Sequence, residues 1–215
     1  MIDAEDFQIS GTRIQSNKLG LTDPDALAYA ANESASRRLA ELQASPISGG
    51  FDSAHLQEIH RYLYQDVFDW AGELRRIEKG GAPASSLEDT LNRIFDRLSR
   101  ENLLKGLDAD EWTRRASDHI EELRSLHPFI AGSDLAIQEF ATELARKNNL
   151  CLEWRGAPEA STDAIDFAAQ ADRSAQLRRL IMLAVDADPV APISYRHHSL
   201  ERGNELSLQI GDPHT

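Results

Sequence analysis

The chain has 215 residues, 41% of them hydrophobic, and a formal net charge of -13. This length suffices for one compact domain with a sizeable core. The acidic balance argues against nonspecific binding to nucleic acid or to an anionic membrane, and no apolar run is long enough to span a bilayer. A single cysteine, Cys151, excludes an internal disulfide framework and favours a reducing cytoplasmic location.

Helical periodicity accounts for most of the chain up to about residue 149. Residues 22–25 (Thr-Asp-Pro-Asp) predict an N-cap with proline just inside a first helix, which ends near Pro46. Asp52 predicts the cap of a second helix that continues to Gly72. Three more helices are predicted: from residues 82–86 to Gly106, from Asp108 or Asp110 to His127, and from the turn after His127 to about residue 149.

The remaining segments predict little regular structure other than helix. Residues 74–81 alternate in polarity and end in Gly-Gly, which indicates a β-hairpin or a simple loop. Residues 151–154 are a short extended piece, and 161–172 and 174–186 are helical stretches. We therefore predict an all-α fold with at most one small hairpin. It comprises an N-terminal arm (1–21), a domain (22–187) and a polar C-terminal tail (188–215).

Residues 125–140 organise the chain, because two helices meet there around one imidazole. His127 lies on a tight turn that Gly132 permits, and Ser133 and Asp134 are both suitable N-caps for the helix that follows. Free N–H groups at such a helix N-terminus form an anion site. A histidine beside an anion site suits proton abstraction during group transfer. The alternative is a histidine that only packs or caps between two helices.

Three stretches resemble the Fic/Doc (Fido) family. Residues 55–75 are similar to its opening segment, Lys79-Gly-Gly81 to the start of its flap, and His127-Pro-Phe129 with Gly132 to the start of its active-site motif. The resemblance implies a Fic-type helical bundle with a small β-hairpin flap. It also implies transfer of AMP from Mg²⁺-bound ATP to a protein hydroxyl, with the motif histidine as general base. Protein targets, regulatory partners, and links to toxin–antitoxin systems or translocated effectors follow from the same resemblance.

The motif departs from the family pattern at five positions: Ala131 stands at the metal-binding acid, Ser133 at the Asn, Asp134 at the second Gly, and Leu135 and Gln138 at the two Arg. ATP and Mg²⁺ are therefore disfavoured and the cofactor stays open. We predict a non-AMPylating pseudoenzyme or a regulatory, protein-binding member. A Fic-type transferase with a non-standard donor, or residual adenylyltransferase activity, remain alternatives.

The candidate catalytic residue is His127, and the candidate ligand-binding residues are Phe129, Gly132, Ser133, Asp134 and Lys79. Arg75, Arg76 and Lys79 either replace the missing motif cations or belong to an exposed hairpin. His55 and His60 are interpreted as scaffold, and His197, His198 and His214 as a flexible tail, so no metal site is predicted. The (Ser/Thr)-x-x-x-Glu-(Gly/Asn) pattern of the family's inhibitory helix does not occur in the sequence.

Overall fold

Helices form most of what the structure, a computed structural model, describes: residues 8, 14–75, 85–152, 154 and 185–186. In chain order they are α1 (Pro24–Ala44), α2 (Ser53–Tyr64), α3 (Ser85–Arg100), α4 (Ala109–Leu126) and α5 (Ser133–Lys147). Two short strands, β1 (Cys151–Leu152) and β2 (Val185–Asp186), pair in antiparallel register, with Cys151 opposite Asp186. None of the helices described is both long and apolar enough to cross a membrane.

Aspartate side chains begin three of these helices. Asp23 accepts from the N–H of Ala26 at 2.8 Å, and Asp52 accepts from that of His55 at 2.9 Å. Asp108 caps α4 in the same way, at 2.9 Å. Each cap satisfies a main-chain donor that has no partner inside the helix, which is worth about 1 kcal/mol. The caps predicted at residues 22–25, at Asp52 and at Asp108 are confirmed.

One core is built around α5, which contacts α2 and α4 and leads into β1. Apolar residues at helical spacing are buried: Leu56, Ile59 and Leu63 on α2, Leu87, Leu91, Ile94 and Leu98 on α3, and Ile137, Phe140 and Leu144 on α5. Leu135, at the start of the apolar stripe on α5, is only partly buried. Both neighbouring helices press on α5, and most of its residues between Ala136 and Ala145 are buried. The loop at its N-terminus is therefore supported from within the core.

The second helix is shorter than predicted, since α2 ends at Tyr64 and does not reach Gly72. The N–H groups of Val67 and Phe68 both return to the carbonyl of Tyr64, which closes a turn. Residues 67, 68, 70 and 71 are nevertheless buried. Apolar spacing records only burial, so it cannot distinguish a helix from a compact turn that buries the same side chains.

Two other predicted boundaries are wrong. The third helix ends at Arg100, not at Gly106, and is followed by left-handed residues at 102–104 with φ of 54° to 59°. The amide of Asn148 donates to the carbonyl of Leu103 at 3.0 Å and holds this turn. Residues 185–186 are a strand, not the end of a helix, because they pair with Cys151–Leu152. The extended conformation predicted at 151–154 is confirmed for β1.

Several predictions fall outside the described residues: most of the 74–81 hairpin, the 161–172 helix, nearly all of the 174–186 helix, and the 188–215 tail. The predicted domain limits stay predictions. Within the N-terminal arm, the N–H of Lys18 donates to the carbonyl of Val67 at 2.8 Å, so residues near 18 contact the turn after α2.

Candidate active site in the loop between α4 and α5

The loop begins at His127, whose main chain is left-handed (φ 42°, ψ 68°). Its N–H donates to the carbonyl of Arg124 at 3.1 Å. A residue that precedes proline is pushed out of the right-handed helical region, so Pro128 prevents α4 from continuing. The predicted tight turn at His127 is therefore present. It depends on this histidine–proline pair as well as on Gly132, which is left-handed too (φ 72°).

Arg75 binds the main chain of the loop through three hydrogen bonds. Its guanidinium donates to the carbonyls of His127 and Leu126, the latter at 3.0 Å. The main-chain N–H of Arg75 donates to the carbonyl of Pro128, also at 3.0 Å. A cation at a helix C-terminus is favourable because carbonyl groups there lack helical partners. Burial lowers the pKa of Arg75, but the guanidinium stays charged at neutral pH.

The core side of the loop packs on His60 of α2, which is fully buried. Its Nδ1 accepts the N–H of Gly72 at 2.8 Å, so the proton lies on Nε2, which donates to the carbonyl of Ala131 at 2.9 Å. The ring stacks on Phe129, with centroids 3.8 Å apart. Burial lowers the pKa of His60 to about 4, so the imidazole is neutral near pH 7. This arrangement is the scaffold role predicted for His60.

Gly132 and Ser133 close the loop where α5 begins. Gly132 is the N-cap of α5, and a Cβ added to it would lie 2.3 Å from ring carbons of Tyr64. Only glycine combines the left-handed conformation with this close approach. Ser133, already inside α5, places its Oγ 3.1 Å from the main-chain nitrogen of Phe129, whose N–H donates to it. The expectation that Ser133 or Asp134 caps this helix is therefore wrong, because the sharp turn makes Gly132 the capping residue.

Charged groups surround the half-buried His127. Burial lowers its pKa, Asp134 opposes this shift, and the cations of Arg75 and Arg124 add to the lowering. The imidazole is therefore neutral at pH 7 and can accept a proton. Asp134, in the first turn of α5, forms an ion pair with Arg124 at 3.1 Å. Burial, with a contribution from Asp134, raises the pKa of Tyr64 to about 12.

The structure divides the predicted site residues between two environments. His127 and Asp134 lie together where the loop between α4 and α5 is partly exposed to solvent. Phe129 and Ser133 lie on its other side and are buried in the core. Lys79 lies outside the described residues. Their roles in catalysis or ligand binding stay predictions. Sequence reasoning missed Arg124, although its position three residues before His127, in the last turn of α4, could have indicated it.

A groove of about 840 Å³ lies between α3 and α4. It includes Arg97, Glu101 and His119 and extends to Ser125 and Leu126, the last turn before the loop. The imidazole of His119 lies 3.3 Å from the carboxylate of Glu101 and 3.2 Å from the guanidinium of Arg97. None of the predicted site residues that the structure describes lines this groove, so it is separate from the loop site.

Some known proteins are similar to this chain in sequence, and others have a similar arrangement of helices. A probable protein adenylyltransferase Fic from Salmonella typhimurium is 35% identical over 181 residues, covering 81% of this chain and 89% of that protein. This chain belongs to the Fic family. A second probable protein adenylyltransferase Fic, from Escherichia coli, is 34% identical and 84% covered. No protein-family model matches the sequence.

Further relatives are longer or more distant. The protein adenylyltransferase VbhT of Bartonella schoenbuchensis is 35% identical over 148 residues, and this Fic chain spans only 31% of its length. The BepC protein of Bartonella tribocorum, a VirB-translocated effector solved with bound AMPPNP, has a TM-score of 0.74 at 23% identity, covering 86% of this chain and 98% of that one. The Fic domain of a Bartonella quintana effector, with bound ADP, has a TM-score of 0.73 at 21% identity, covering 85% and 95%. The predicted all-α Fic fold is confirmed.

Proposed function

We propose that this Fic protein does not transfer AMP from Mg²⁺-bound ATP and acts through protein binding, either as a pseudoenzyme or as a regulator of a partner protein. The observation that carries the proposal is the Asp134–Arg124 ion pair. It places a carboxylate in the first turn of α5, where free N–H groups would otherwise favour a bound anion. The chain's own anion there repels the phosphates that such a donor brings.

The groups around His127 do not fit Mg²⁺-bound ATP. Ala131 has no carboxylate for the metal, and its carbonyl oxygen accepts from His60. Leu135 and Gln138 have no charge with which to bind a phosphate. Arg75 and Arg124 lie near His127, but they bind main-chain carbonyls and Asp134 respectively. A single missing oxyanion donor costs about 3 kcal/mol or more in an enzyme site, so losing a metal and two guanidinium groups should abolish ordinary AMP transfer.

Calorimetric titration with ATP, UTP and CDP-choline, each with and without Mg²⁺, tests this proposal. We expect no binding to the natural chain. A matched variant restores the family motif with five changes: Ala131→Glu, Ser133→Asn, Asp134→Gly, Leu135→Arg and Gln138→Arg. Metal-dependent ATP binding by this variant alone would support the proposal. Metal-dependent micromolar binding by the natural chain would overturn it, and labelled-ATP incorporation would then measure residual AMP transfer.

A second candidate is a transferase that uses His127 as general base with a donor not held through metal-bound phosphates. The neutral, half-buried imidazole favours it, because such a group can take a proton from a hydroxyl at pH 7. Incubation with candidate protein targets and mass spectrometry of the products would detect a transferred group. His127→Ala should then abolish the modification without loss of folding, and an unchanged modification would exclude His127 as the base.

The partner is proposed to be a protein in either case, as a target or as a regulator. A cytoplasmic location remains a prediction. Delivery as an effector is supported by the description of the BepC protein as VirB-translocated. Neither nucleic acid nor a membrane is proposed as a partner.

A further inference from the structure

We propose that Arg75 is the positioning residue of this site, which holds the main chain of His127 in its left-handed conformation through the two carbonyl groups that end α4. The inference concerns the same site as the proposed function. It rests on the second candidate function, the transferase, only in taking His127 as the group that acts. It assigns Arg75 a role different from the two considered for it, a ligand-binding cation or part of an exposed hairpin.

The geometry argues for this role. The planar guanidinium binds consecutive carbonyls, those of Leu126 and His127, with two different nitrogens, Nη2 and Nε. The N–H of the same residue binds the next carbonyl, that of Pro128. Arg75 therefore binds three consecutive main-chain carbonyls at the point where the chain leaves α4. A rigid fork of donors can hold two carbonyls at once, which a single ammonium group on a flexible stem cannot do.

The local energetics require a partner at this point. The last carbonyls of a helix have no helical N–H to accept, and burying them without a donor costs free energy. A left-handed conformation also costs an ordinary residue about 1–2 kcal/mol, and His127 has φ of 42°. With His127 left-handed, the guanidinium of Arg75 binds the carbonyls of Leu126 and His127 at the same time. It therefore stabilises that conformation over a frayed helix end.

Arg75 is also one of the charges that act on the imidazole. The pKa of His127 is lowered by burial, raised by Asp134 and lowered by Arg75 and Arg124. Tyr64 is buried next to Asp134 and is uncharged near neutral pH. Removing the charge of Arg75 should therefore raise the pKa of His127. The same residue thus links the shape of the loop to the proton affinity of its histidine.

Two NMR measurements on the full chain test the proposal without any assay of activity. The first is hydrogen exchange at the N–H of His127, with the N–H of Ser45, which donates to Glu41 on α1, as a remote reference. The second is the pH titration of the His127 ring, assigned by the signal that disappears in His127→Asn. The variants are Arg75→Met and Arg75→Lys. Arg37→Met is the matched control, because it removes an exposed charge on α1 that pairs with Asp66 in the turn after α2.

In Arg75→Met, we expect exchange at His127 to accelerate about tenfold or more, as for loss of a charge-assisted hydrogen bond, and the ring to titrate at higher pH. In Arg75→Lys, exchange should also accelerate while the titration stays closer to that of the natural chain, because the charge is kept and the fork is lost. The control and the Ser45 reference should not change.

If the exchange rate of the His127 N–H and the pKa of the His127 ring in Arg75→Met equal those of the natural chain, the proposal is overturned. Full protection of the His127 N–H in Arg75→Lys would overturn it as well, because the charge alone would then be sufficient. If Arg75→Met does not fold, the exchange measured in Arg75→Lys decides the question. A failure of these tests leaves the nucleotide-binding results unaffected, so the two proposals can fail separately.

Discussion

The two histidines of α2, His60 and His55, differ in the hydrogen-bond partners of their ring nitrogens. At His60, both ring nitrogens have main-chain partners and the imidazole is held neutral. At His55, Nε2 lies 2.9 Å from a carboxylate oxygen of Glu143 and 3.2 Å from the carbonyl of Ile47. Its Nδ1 has no hydrogen-bond partner among the described residues. The first site contains no charge, whereas the second buries a carboxylate.

The difference extends along α5. Glu139 and Glu143, one helical turn apart, are both buried, and each has a carboxylate oxygen without a hydrogen bond in the described part of the chain. Arg146 lies 3.8 Å from Glu139, too far for a direct hydrogen bond. A neutral, fully bonded group fixes geometry at any ordinary pH. A buried carboxylate with incomplete partners makes stability depend on pH. The His60 site therefore shapes the loop, whereas Glu139 makes stability respond to pH.

Removing the imidazole of His60 should have the largest effect on the free energy of unfolding. His60→Ala deletes a buried ring stacked on Phe129 and leaves the N–H of Gly72 and the carbonyl of Ala131 without partners. We expect a loss of about 3–5 kcal/mol in the free energy of unfolding, measured with urea. Tyr29→Ala, which removes an exposed ring on α1, is the control. A loss below about 1 kcal/mol would mean that His60 does not hold the loop.

The second largest effect is expected from the titration of Glu139 on α5. Burial raises the pKa of Glu139 from 4.5 to about 7, with Arg146 opposing the shift and Glu143 adding to it. Between these pKa values the folded state retains a proton that the unfolded state releases, so Glu139 lowers the stability of the folded state progressively as the pH rises from about 4.5 to about 7. The full change is about 3 kcal/mol.

Glu139→Gln should remove this dependence. We therefore expect the variant to gain stability relative to the natural chain at pH 8 and little at pH 4.5, measured as the difference between urea unfolding curves. Glu33→Gln, an exposed change on α1, should leave the pH dependence as it is. Equal pH dependence in Glu139→Gln and the natural chain would show that the carboxylate of Glu139 is already ionised in the folded state.

A smaller effect is expected at the start of α5. Gly132→Ala places a Cβ 2.3 Å from ring carbons of Tyr64 in a left-handed conformation, which should cost about 2–3 kcal/mol. Gly20→Ala is the matched control: its φ is also positive (67°), but among the described residues no atom beyond its chain neighbours lies within 4 Å of the added Cβ. It should lose about 1 kcal/mol from backbone strain alone. Equal losses at the two glycines would mean that close packing on Tyr64 is not what selects Gly132.

The smallest effect is expected on the half-buried side of the loop. Asp134→Asn breaks the ion pair with Arg124, whose side chains are 35% and 32% exposed, so stability should change by less than about 1 kcal/mol. The pKa of His127 should fall, because Asp134 raises it. NMR titration of the ring measures this, with Asp25→Asn on α1 as the control. A rise in the pKa of His127 would contradict the assigned electrostatics.

Local rules were reliable where one short stretch of chain decides the structure. Asp52 and Asp108 begin helices because a carboxylate accepts an N–H three residues on. The turn after His127 follows from Pro128 and Gly132. The same rules failed where distant segments decide. Val185 is in a strand because it pairs with Leu152. Apolar spacing also misplaced the end of α2, because the buried residues beyond Tyr64 form a turn.

The candidate site shows the same limit. The sequence comparison identified His127 and Asp134 as candidate site residues, because both lie in one short segment. It could not show that Arg124 pairs with Asp134, that Arg75 binds the carbonyls at the end of α4, or that Phe129 stacks on His60. Arg75 lies 52 residues before His127 in the chain. No local pattern records a contact over that separation.

By itself, the sequence determined the helical class, the resemblance to the Fic family and the uncharged residues at positions 131, 135 and 138 near His127. These follow from residue types, their spacing and short-range hydrogen bonds. Only the tertiary structure decided how the remaining charges are used: Arg75 on carbonyl groups, Arg124 on Asp134, and His60 as a neutral support. The physical reason is that partners and burial set the role and proton affinity of an ionisable side chain, and both arise when segments far apart in the chain come together.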